Sequence, residues 1–107
     1  MEGVYVSRTT TDAWEPDDEV GGSAHMLFDR GATKAGLWRT GPAAGGGPTE
    51  VEIPARETIL VLEGSVRVSV DRLETHELHV GDMLSIPERS LVGWDPAPEC
   101  MVFWIYS

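Results

Sequence analysis

Cysteine is nearly absent, with Cys100 alone in the chain. An internal disulfide framework and a cysteine metal knuckle are thereby excluded, and a reducing cytoplasm is the expected setting. Basic residues are scarce as well. Eight Lys and Arg stand against eighteen Asp and Glu, a formal net charge of -10. Phosphate-rich surfaces would be repelled at long range, so neither nucleic acid nor an anionic membrane is an expected partner. Long apolar runs are missing too. The longest, Cys100 to Tyr106, falls far short of the roughly 20 residues of a spanning helix, and Met1-Glu2-Gly3 does not open a basic signal sequence. No window holds a 3.6-residue apolar period, and neither a heptad nor an internal repeat is visible.

What the chain does contain is a series of short β-branched or aromatic segments separated by Gly, Pro or Asp. They are Ala24 to Asp29, Lys34 to Thr40, Glu57 to Leu62, Val66 to Val70, His76 to Val80, Met83 to Pro87, Leu91 to Trp94 and Cys100 to Tyr106. The pattern predicts an all-β fold of antiparallel strands, and 107 residues suffice for one core only. Glu74 to His79 would pass for a helical turn only if its flanks were ignored. Residues 24–107 are expected to form the barrel, with residues 1–23 as an arm on it or on a dimer mate. Within that arm, Met1 to Thr9 has the composition of a β segment. The acidic, Pro-broken stretch Asp12 to Glu19 reads as a solvated surface, and Trp14 as a packing anchor. Pro42 to Pro48, with its three consecutive glycines, reads as a loop; it lacks the following helix and lysine of a phosphate cradle.

Strand phase assigns faces. Val66, Val68 and Val70 share one side, with Arg67 and Ser69 on the other. Glu57 shares a face with Ile59 and Val61, so a carboxylate heads an apolar wall. Burial there would raise its pKa, which suits a general acid or base; Arg39 or Arg67 nearby would lower it and make it structural. Trp38 and Trp94 are candidate aromatic walls of a ligand pocket, with Thr40, Tyr106 and His25 as further lining residues. Trp104 reads as core, and Ser85 as a possible hydrogen-bonding neighbour. His76 and His79 point to opposite faces of an extended strand and make no metal pair. Cys100 reads as a small core residue.

Glu57-Thr-Ile-Leu-Val-Leu-Glu-Gly64 and Gly81-Asp-Met-Leu-Ser-Ile-Pro87 together resemble the two cupin motifs, matching the E-x6-G half of the first and the G-x5-P half of the second. The resemblance implies a cupin-type double-stranded β-helix, a jelly-roll barrel. Gly36-Leu37-Trp38, Leu62-Glu63-Gly64 and Gly93-Trp94-Asp95 are similar to a small-cupin branch that includes the repeats of ureidoglycine aminohydrolase and the ethanolamine-utilisation cupin. The usual metal ligands are changed: the positions of the first motif's two histidines fall on Glu50 and Glu52, and that of the second motif's histidine on Val92. Arg89, Pro96 and Ala44 replace further motif residues. The resemblance therefore implies either no metal or a hard divalent cation on the oxygen trio Glu50, Glu52 and Glu57. Two functions follow as expectations. One is an enzyme acting on a small polar metabolite with Glu57 as acid/base; the other is a non-catalytic small-molecule binder or accessory subunit. A homodimer is expected in both, because Glu57 to Leu62 and Cys100 to Tyr106 are apolar on both faces.

Overall fold

The computed structural model describes residues 3–41 and 46–107. Among the described residues ten strands follow one another: β1 (Glu15–Pro16), β2 (Ser23–Arg30), β3 (Thr33–Thr40), β4 (Thr49–Glu52), β5 (Glu57–Glu63), β6 (Ser65–Val70), β7 (Glu74–His79), β8 (Met83–Ile86), β9 (Leu91–Pro96) and β10 (Cys100–Tyr106). They form a six-stranded sheet, β1-β2-β3-β10-β5-β8, and a four-stranded sheet, β4-β9-β6-β7. All pairings are antiparallel. The architecture is the all-β jelly roll that the strand pattern and the cupin motifs imply. Among the described residues no helix is long and apolar enough to cross a membrane.

The core lies between the sheets because each inward row is apolar. Ile59 and Val61 of β5, Val66 and Val68 of β6, Val92 of β9 and Val102 of β10 are all at most 2% exposed and pack as one cluster with Ile53 and Ile86. Burial of such side chains stabilises the fold by about 1.5–3 kcal/mol each. Val70 joins them while Arg67 is exposed, as the alternation requires. Cys100 is buried at the base of the same cluster.

Two segments differ from expectation. The span from Gly3 to Thr9 contains no strand. Its Tyr5 packs on Phe28 at 5.5 Å between ring centroids, and the Ser7 hydroxyl bonds His25 Nε2 at 2.6 Å. Conversely, Thr49 to Glu52 is a strand, paired with β9 from Thr49↔Trp94 to Glu52↔Leu91. Thr-Glu-Val-Glu-Ile alternates polar with apolar residues, a strand signal masked by its brevity and by the glycines and proline before it. The loop expected over Pro42 to Pro48 lies outside the described residues as far as position 45.

The hairpin joining β6 to β7 settles the fate of one predicted metal ligand. Asp71 and Arg72 hold φ of 54° and 58°, and Leu73 N donates to Val70 O at 3.0 Å. Two successive left-handed residues make a primed turn that follows the twist of the flanking strands. Asp71 Oδ1 accepts from Leu91 N at 2.8 Å, which anchors the turn to β9. Arg72 then reaches Glu50 with both Nε and Nη2.

Candidate functional site

Antiparallel register builds the site row by row, since directly opposed residues carry side chains on the same face. Lys34, Tyr106 and Glu57 are aligned across β3, β10 and β5. Gly36, Trp104 and Ile59 form the next row inward, and Trp38, Val102 and Val61 the one below. A cavity of about 330 Å³ opens above these rows. Trp38, Trp94, Trp104 and Tyr106 supply its aromatic walls, and Val20, Met26, Val51 and Ile53 extend them. Its charged groups are Asp17, Glu19, Glu52, Glu57 and Lys34.

Glu57 is only 7% exposed, and its carboxyl makes no hydrogen bond or ion pair with any described residue. Burial raises its pKa to about 7, with the carboxylates of Asp17 and Glu19 pushing the same way. The arginines expected to neutralise it are elsewhere. Arg39 lies on the outer face of the large sheet, its guanidinium 4.0 Å over the Trp14 ring, and Arg67 lies 3.8 Å from Glu77 on the exposed face of the small sheet. Tyr106 has its hydroxyl held above the usual phenol range, by burial first and by Glu57 next, and it remains a neutral donor.

Trp38 and Trp94 are both buried and pack at 6.4 Å between centroids, tilted by 45°. Trp38 Nε1 donates to Gly21 O at 2.8 Å and so ties the segment after β1 to the barrel. Trp104 both touches the core and lines the cavity, tilted against Tyr106 at 5.3 Å. Thr40 and His25 are not in the cavity. The Thr40 hydroxyl donates to Ala97 O at 2.9 Å and closes the far end of the barrel. His25 is paired with Leu37 on the outer face, where its Nδ1 donates to Ala13 O at 2.9 Å. Ser85 likewise faces outward, bonded to Arg56 and Thr58.

The predicted carboxylate trio does not converge. Glu50 is held on the outside by Arg72, whose hydrogen bond pulls its pKa below the usual carboxylate range. Glu52 sits at the rim, and Glu57 within. The inward positions belong instead to Val51 of β4 and to Ile53 just after it, a one-residue offset that reverses every side chain. Val92, at the position of the second motif's histidine, is fully buried in the apolar core. Among the described residues no three His, Cys, Asp or Glu side chains are grouped to hold a metal ion. Glu50, Glu52 and Glu57 therefore offer a divalent cation no common site. His76 lies 3.5 Å from Glu74 on β7, away from the cavity.

Asp17, Glu19 and Lys34 escaped the sequence reading. Asp17 Oδ1 accepts from Glu19 N at 2.9 Å and Val20 N at 3.1 Å, and Gly21 N donates to Asp17 O at 3.0 Å. Gly21 and Gly22 follow with φ of 74° and 69°, which glycine adopts without strain. This turn folds the acidic segment back over the mouth of the barrel. The Asp-x-x-Val-Gly-Gly pattern signals such a turn, but not where it lands.

The two-sheet antiparallel jelly roll is that of a cupin, and the chain belongs to the EutQ-like cupin domain family, whose model matches residues 29–98. Among solved structures it is similar to a putative ethanolamine utilisation protein Q from Salmonella typhimurium, with a TM-score of 0.74 and 17% identity over 87% of this chain and 76% of that one. It is also similar to a cupin-2 domain protein from Shewanella frigidimarina, with a TM-score of 0.63 and 20% identity over 78% of each chain. The EutQ protein of Clostridium difficile gives a TM-score of 0.66 at 13% identity, over 78% of this chain and 65% of that one. At these identities the likenesses show the fold. No curated protein matches. The likeness to the ureidoglycine aminohydrolase repeats rests on the sequence motifs alone.

Proposed function

We propose that the protein binds a small polar metabolite in the barrel cavity and that Glu57 exchanges a proton with it. One observation carries this reading: Glu57, a residue only 7% exposed whose carboxyl has no partner among the described residues, faces a cavity walled by aromatic rings. A group poised near neutral pH in an apolar site serves equally well as acid and as base. A 330 Å³ cavity is at the small end for ligand sites and suits a metabolite rather than a polymer. The experiment is a thermal-shift screen of amine- and carbonyl-bearing metabolites against wild type and Glu57→Gln, followed by mass spectrometry of each hit. Chemical change in the hit that depends on Glu57 identifies an enzyme. A stabilising hit recovered unchanged identifies a binding or accessory protein, and no hit rejects the reading.

A homodimer in the cytoplasm completes the proposal. His25, Leu37, Phe103, Leu60 and Met83 form one row across the outer face of β2, β3, β10, β5 and β8. Leu37 is buried, but Met83 is 72% exposed and Leu60 and Phe103 are half-buried, which leaves an apolar strip suited to a second copy. Light scattering at micromolar concentration is expected to give twice the 11.7 kDa chain mass. A monomer mass would refute the dimer.

A further inference from the structure

The cavity combines two features that separately have ordinary explanations and together select one ligand charge. Its walls are four aromatic side chains, Trp38, Trp94, Trp104 and Tyr106. Its charged lining is four carboxylates and one ammonium, a formal charge of -3 (1 - 4) when Glu57 is ionised. An anion would meet net repulsion there. A metal ion would find no three converging donors among the described residues to replace its water. A neutral ligand could hydrogen-bond the carboxylates but would leave their charge uncompensated. An alkylammonium ion is weakly hydrated at its carbon substituents and meets both features at once: ring faces attract its charge, and carboxylates neutralise it. The chain itself shows the pairing, since the Lys34 ammonium lies 5.6 Å from the centroid of the Tyr106 ring. Glu57 adds a further sign of a missing partner: the residue is 7% exposed, and its carboxyl is unpaired among the described residues and faces the same cavity.

We infer that the ligand is a small organic monocation, a primary to fully methylated alkylammonium ion, whose head is received by the aromatic walls and the carboxylates of Asp17, Glu19, Glu52 and Glu57. The inference rests on the reading of the barrel cavity as a ligand site. Lys34 then acts as an internal competitor, a tethered ammonium that a ligand must displace or share the rim with. Proton release follows as well. Glu57 faces Asp17 and Glu19 from the segment after β1, Lys34 from β3, Glu52 from β4 and Tyr106 from β10. A cation arriving among them favours the ionised carboxyl, so part of the proton that Glu57 holds near pH 7 leaves on binding.

The test uses three probes of one shape and different charge: choline, its neutral isostere 3,3-dimethylbutan-1-ol, and the anion 3,3-dimethylbutyrate. Titration calorimetry of the full chain at pH 7 is expected to show choline binding about tenfold or more tightly than the alcohol, with no binding of the anion. The double substitution Asp17→Asn and Glu19→Gln should weaken choline about three- to tenfold and leave the alcohol unchanged. Lys34→Met should tighten choline about threefold. Repeating the titration in buffers of different ionisation enthalpy should show protons released by wild type and none by Glu57→Gln. If the alcohol or the anion binds as well as choline, the cation inference is overturned while the cavity stands as a ligand site. If none of the three binds at millimolar concentration, the cation inference also fails, and the metabolite screen decides the broader reading separately.

Discussion

Glu57→Gln is expected to stabilise the protein at pH 8 by about 3 kcal/mol and to change its stability little near pH 4. The carboxyl holds its proton up to about pH 7 in the folded chain, whereas the same group in an unfolded chain ionises near its ordinary 4.5. A group whose pKa is raised on folding contributes fully below the unfolded value, and its contribution is lost as pH rises through the folded value. The loss therefore falls between pH 4.5 and about 7, at 1.36 kcal/mol per unit of difference. Glutamine keeps the shape and stays neutral, so it removes that loss. Urea denaturation of both proteins from pH 4 to 8 measures the difference directly, and carboxylates remote from Glu57 cancel in the subtraction. A variant less stable than wild type at pH 8 would mean that the carboxylate has a stabilising partner and serves structure. Native proteins retain destabilising groups of this kind where activity needs them.

How far sequence alone reaches is visible in particular strands. The buried face of Glu57 is legible because β5 alternates strictly: Glu57, Ile59 and Val61 are buried, whereas Thr58, Leu60 and Leu62 are half-buried. The valines of β6 follow the same rule. Parity fails where a strand is interrupted or its start is misjudged. His25 lies outside and Met26 inside, and a bulge between Met26 and Phe28 returns the next aromatic to the outer face. On β4 the motif spacing points to Glu50 and Glu52, but Val51 and, just after the strand, Ile53 turn inward, and Arg72, 22 residues along the chain, claims Glu50.

Long-range closure was not legible at all. The acid cluster at the mouth depends on a two-residue ladder, Glu15↔Ala24 and Pro16↔Ser23, and on one indole hydrogen bond from Trp38 to Gly21. Neither leaves a periodic trace in the sequence. Asp12 to Glu19 reads as an ordinary solvated charge run, although its last residues fix the electrostatics of the site. Arg89 shows the reverse case. It stands where the cupin motif has glycine, and its φ of 67° shows the backbone conformation for which glycine is suited.

Gly64→Ala is expected to cost about 3 kcal/mol or more. Two effects add. With φ at 68° an alanine enters the left-handed region, at a cost of about 1–2 kcal/mol. Its Cβ would also lie 2.1 Å from the Glu99 carbonyl oxygen and 3.2 Å from Cys100 Cα. That backbone cannot retreat, since Cys100 is 2% exposed and begins β10. Gly31→Ala isolates the first effect: its φ is 76°, but nothing lies within 4 Å of the added carbon. Denaturation of the two variants side by side should show Gly64→Ala losing at least twice as much. Equal losses would mean that the close approach to Glu99 carries no energy. The comparison also separates the two ends of the motif that joins Glu57 to Gly64. Seven residues of β5 span about 23 Å, so glycine governs the turn at one end of the strand while the carboxyl faces the cavity at the other. Loss of stability from Gly64→Ala and gain of stability from Glu57→Gln are accordingly the expected signatures of one strand whose far end holds the fold and whose near end holds the site.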